Sequence, residues 1–115
     1  MATITEDYCS QEVYRLLREK GFDGEIHTTF DKEGYTQASI TLQMAMKWLR
    51  EVHKIHIIAE PCLGEGNEPN LSFNRWFWTI LKEEGEYKPI RRIDEFKTCK
   101  LAVEAAIKYC LEHLI

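Results

Sequence analysis

His53 and His56 stand three residues apart with Cys62 six residues further on, a grouping of the side chains that zinc prefers. Two histidines serve one metal best when they share a helix face. Here the apolar pattern changes between them, so that His53 closes a helix and His56 opens a strand, and the remaining cysteines show no ligand spacing. The sequence therefore predicts no metal and no cofactor. A histidine at a helix carboxyl end is explained by the helix dipole alone.

Nucleophilic catalysis requires a serine or cysteine beside a base that a third group orients. Only Cys62, following Pro61 with His56 upstream, offers such a pairing, and no nucleophile elbow surrounds it. Gly64-Glu65-Gly66 does not read as a phosphate loop, because Glu65 and Glu68 bring negative charge and no lysine follows. Glu83, Glu84 and Glu86 gather round Gly85 as a solvated turn would. No residue is singled out as catalytic.

Binding chemistry is better represented. In Arg75-Trp76-Phe77-Trp78-Thr79-Ile80-Leu81, Trp76, Trp78 and Ile80 alternate with Phe77, Thr79 and Leu81, so both faces of a strand would be apolar. Such a strand is either covered on both sides or displays an aromatic surface on one. Phe73, Trp76 and Trp78 are the candidate binding residues, with His56 as a polar group beside them. Arg91 and Arg92 form the only adjacent arginine pair, and Arg75 starts the aromatic strand.

The elements that position these residues follow from periodicity. Ser10 caps a helix running to about Lys20 with Val13, Leu16 and Leu17 inward, and Gly21 ends it. Residues 25–30 and 35–38 flank Asp31-Lys32-Glu33-Gly34 as a hairpin with one wet face. Leu42, Ala45, Met46, Leu49 and Val52 recur on one side of a second helix, capped by Thr41 or Ser39 and ending near His53. The β-branched run from Ile55 to Glu60 follows as a strand. Pro61 to Asn74 reads as a long irregular loop, and Tyr87 to Ile93 as a strand that Pro89 moves to an edge. Thr98 caps a last helix with Cys99, Ala102, Val103, Ala106, Ile107, Cys110 and Leu114 inward. Lys100, Glu104, Lys108 and Glu112 form a charged row that reads as a solvated face.

These elements make a single α+β domain over residues 1–115, with a mainly antiparallel sheet of four or five strands, two or three helices and the order α-β-β-α-β-β-(β)-α. At 115 residues and 44% apolar content the chain has enough material for one core without disulfides or metal. The net charge of -4 disfavours a general phosphate-backbone binder, and no stretch is fit to span a bilayer. The amino terminus carries no secretory pattern, so the four cysteines are expected reduced and the compartment cytoplasmic.

Residues 41–53 and 104–115 carry a resemblance, which extends to Gly21-Phe22 and Phe96-Lys97-Thr98. In these segments the chain resembles a family of short proteins of unassigned function from Bacteroides-type gut bacteria and their phages or integrated elements. The resemblance implies a mobile-element origin and no reaction. The function expected is a non-enzymatic accessory or protein-interaction domain, with a protein partner or a second copy as its target. Two other readings stand beside it. One is a ligand binder or small enzyme with a pocket between the sheet and the 61–74 loop, using His56. The other is a single-stranded nucleic-acid binder that stacks bases on Trp76 and Trp78 with Arg75, Arg91 and Arg92 nearby.

Overall fold

The computed structural model describes residues 7–63, 71–83 and 89–115, with side chains for all of these but 62–63, 71–74 and 91–95. Helix α1 (Gln11–Glu19) is followed by strands β1 (His27–Phe30) and β2 (Thr36–Ser39), then by helix α2 (Leu42–His53). Strands β3 (Ile55–Leu63), β4 (Leu71–Lys82) and β5 (Ile90–Phe96) come next, and helix α3 (Cys99–His113) completes the order. The fold is α+β and all strand pairing is antiparallel. The strands form two sheets, a β1–β2 ribbon and a three-stranded sheet in the order β3-β4-β5.

The three caps anticipated from sequence close the three helices. The hydroxyls of Ser10, Thr41 and Thr98 accept the N–H groups of Val13, Met44 and Leu101, each satisfying a donor that the first helical turn leaves open. Gly21 takes φ 92° just after α1, a conformation that favours glycine at a helix exit. Lys54 adopts φ 58° and reverses the chain from α2 directly into β3.

All three helices contribute to one core. Leu17, Leu49, Ile55, Ile80, Ile107 and Leu111 are fully buried in it, each worth about 2 kcal/mol of apolar transfer. Ala102 and Ala106 leave room for α3 to approach the sheet. The charged row of α3 is more than a solvated face. Glu104 accepts the backbone N–H of Ser10, and Lys108 lies 2.8 Å from Glu12, so the row ties α3 to the start of α1.

Several expectations need correction. The segment from Pro61 to Asn74 is not wholly irregular, because pairing continues past Pro61 through a register shift, and Leu63 faces Leu71. Pro61 itself keeps the regular register opposite Trp76, at a position whose N–H would point away from β4, so its missing donor leaves no bond to β4 unmade. β5 is displaced toward the carboxyl end and starts after Pro89. Val52 is 57% exposed although it lies on the inward stripe, because it belongs to the last turn of α2, where no described element covers it; Trp48 fills the core instead. Cys99, expected inward, is exposed at the first position of α3, whereas Leu114 packs against the core as expected and Leu111 joins it fully buried.

Candidate functional site

Alternation along β3 and β4 divides the larger sheet into two unlike faces. Trp78 and Ile80 on β4 and Ile55 on β3 belong to the core beneath the helices, with Ile57 and Ala59 packed against it. The opposite face carries His56, Ile58 and Glu60 from β3 with Arg75, Phe77, Thr79 and Leu81 from β4. None of these seven belongs to the helix-side core. Ile58 is 39% exposed, yet its partner Thr79 is only 5% exposed. Thr79 sits between Ile58 on β3 and Arg91 on β5, with Phe77 and Leu81 two positions away on its own strand. The result is an apolar strip on the face that no described helix covers, with Ile58 exposed, Phe77 and Leu81 half-buried, and Glu60, Arg75 and His56 beside it.

The residues expected to bind are therefore split. Trp78 is 2% exposed and stacks on Tyr109 of α3 with ring centroids 5.3 Å apart, so it is a core residue and is withdrawn from any surface role. Trp76, half-buried, alternates onto the same side. Phe73 lies in β4, but its side chain is outside the described residues, as are those of Arg91 and Arg92 in β5. Among the described side chains, the aromatic ring on the face away from the helices is Phe77. Alternation was legible in the sequence, but both faces were apolar, and only the placement of α3 decided which one was covered.

His53 and His56 do not converge. His53 sits edge-on to Trp48 at 4.6 Å, with its Nε2 buried and without a hydrogen-bond partner. Burial, and then the charge of Lys82, lowers its pKa, which weighs against the charged dipole-capping role expected of it. His56 points to the other face and reaches Glu83 at 3.7 Å, an ion pair when the imidazole is protonated. Among the described residues no group of three or more His, Cys, Asp or Glu side chains is placed to hold a metal ion. Burial pushes the thiols of Cys9 and Cys110 up to about 12, far from the thiolate that chemistry requires. The Cys99 thiol is also raised, by burial and by Asp7.

The described cavities lie away from His56. One of about 430 Å³ opens between the base of the β1–β2 ribbon and α2, walled by Glu25, His27, Met44, Met46, Lys47 and Arg50. Another, of about 500 Å³, follows α3 past Phe96, Leu101 and Lys108, and the rings of Trp78, Tyr109 and His113 line a smaller one beyond it. The pocket expected between the sheet and the 61–74 loop lies partly outside the described residues, since 64–70 are not among them. No helix among the described residues is long and apolar enough to cross a membrane. Comparison with protein-family models, curated proteins and solved structures finds no match to this chain.

Proposed function

We propose that this chain is a non-enzymatic accessory domain that works by protein contact, with its three-stranded sheet as the contact element and a second copy of itself as the partner. The face of β3 and β4 away from the described helices carries the reading, because Ile58, exposed, lies there with the half-buried Phe77 and Leu81. Apolar side chains gathered on a sheet face outside the core are a usual mark of an interaction surface. The thiols held protonated by burial, and a histidine pair directed to opposite sides of the sheet, add support.

Sedimentation velocity of the purified chain over a concentration series tests the proposal. The expected result is a weight-average mass that rises from 13.6 kDa toward twice that value. A mass that stays at 13.6 kDa throughout contradicts it.

A further inference from the structure

The cavity of about 430 Å³ between α2 and the base of the β1–β2 ribbon falls within the range of small-molecule sites, about 300–1,000 Å³. Its walls are held from several sides. Tyr8 pairs with Thr41 in an isolated antiparallel bridge, and its ring meets that of His27 edge-on with centroids 5.8 Å apart. The Gln11 side-chain amide donates to the Ala38 carbonyl at 2.9 Å and the Ser39 hydroxyl to the Cys9 carbonyl at 3.1 Å, which ties the ribbon to the start of α1. The Leu42 N–H donates to the Asp7 carbonyl and fixes the start of α2 on the other side. The cleft is therefore formed before any ligand arrives, and binding does not have to order it.

The helix wall of this cleft is cationic. Met46, Lys47 and Arg50 lie three, four and seven residues after Gln43, so the four share the side of α2 that lines the cavity. Lys47 and Arg50 put two positive charges three residues apart, and like charges at neighbouring helix positions repel. Among the described residues neither is paired with a carboxylate. The first turn of α2 brings no acidic residue, and Glu51, four residues after Lys47, does not line the cavity. Glu25 does line it, from the opposite wall, and reaches His27 at 3.8 Å. Met44 and Met46, half-buried, supply adaptable apolar surface beside the charges.

We infer that this cavity binds a small organic acid, a single carboxylate carried on an apolar body. The Arg50 guanidinium offers a planar fork that matches a carboxylate through two parallel hydrogen bonds, and Lys47 adds a point charge beside it. The thioethers of Met44 and Met46 cover the body. Glu25 weighs against a dianion, because a phosphate monoester would set a second negative charge opposite it within the same walls. A neutral ligand would leave the two cations facing each other without compensation. The site is separate from the sheet face on which the self-contact reading rests, and neither depends on the other.

Titration of the full chain with benzoate, cyclohexanecarboxylate and hexanoate tests the site, read from the NMR methyl signals of Met44 and Met46 and from calorimetry. Benzamide, the neutral counterpart of benzoate, and phenyl phosphate, a dianion, run alongside. The carboxylates should give saturable shifts at both methionines, and benzamide should bind about tenfold more weakly than benzoate, since it cannot make the charge-assisted bonds. Arg50→Gln is expected to weaken benzoate binding about tenfold and Lys47→Gln about threefold, whereas Glu25→Gln should strengthen it and admit phenyl phosphate. All three side chains are exposed, so the variants should keep the fold, which circular dichroism checks. No saturable shift with any of the three carboxylates at millimolar concentration would overturn the site. Equal affinity for benzoate and benzamide, or an Arg50→Gln variant that binds benzoate unchanged, would overturn the role of the cations. Phenyl phosphate binding more tightly than benzoate would overturn the assignment to a single negative charge.

Discussion

At the scale of single residues, the molecule withdraws its reactive groups from solvent. Cys9 and Cys110 are buried and held protonated, whereas Cys99 is exposed at the start of α3. Native labelling with iodoacetamide followed by peptide mapping should therefore modify Cys99 and spare Cys9 and Cys110; modification of the buried pair at a comparable rate would contradict the packing. His53 makes a different prediction. Its folded pKa lies below the ordinary value of 6.5, so the unfolded chain binds the proton more readily. Stability should be level above that value and fall as pH drops through it, until the folded state takes up the proton too. Urea titrations from pH 8 to 5 should show this slope, and His53→Gln should flatten it. The sequence reveals that His53 ends a helix, but its burial and the nearness of Lys82 arise only when the helix packs on the sheet, and these work against the charge expected of it.

Among the elements, caps and turns were the most legible features, because each depends on a few neighbouring residues. Thr41 shows their worth. Its hydroxyl accepts the Met44 N–H inside a fully buried site, and the backbone around it receives the chain's beginning through Leu42 N–H to the Asp7 carbonyl. Thr41→Val keeps the shape and removes the acceptor, and should cost about 1–2 kcal/mol in chemical denaturation; a loss under a few tenths would show that the cap is dispensable. Strand ends were less legible. Pro61 argues locally for a loop, yet the pairing of Leu63 with Leu71 resumes the ladder beyond it, a long-range fact that no local pattern carries. The same limit hid the division into two sheets. The β1–β2 ribbon reads as a hairpin, but its separation depends on where residues 7–9 dock, with the Ser39 hydroxyl donating to the Cys9 carbonyl and the Cys9 N–H donating to Ile40. Phe30 and Tyr35, each 70% exposed, remain at its tip.

Taken as a whole, the molecule is flat. Its principal extents are 49 × 45 × 23 Å, and the shortest fits one layer of helix on one layer of sheet. Its radius of gyration of 15.6 Å exceeds the roughly 13 Å usual for a chain of this length. A third layer, such as a second copy, would cover the face that carries Ile58, Phe77 and Leu81. The candidate surface was only half legible in the sequence, since Trp76 to Leu81 announced an apolar strand without showing that its tryptophans turn inward. Self-contact through the sheet is most directly tested by sedimentation velocity of the chain and of Phe77→Lys over the same concentration series. The account predicts that the unaltered chain gains mass toward twice 13.6 kDa while Phe77→Lys stays near 13.6 kDa. An unaltered chain that stays at 13.6 kDa, or a Phe77→Lys variant that associates equally well, would contradict it.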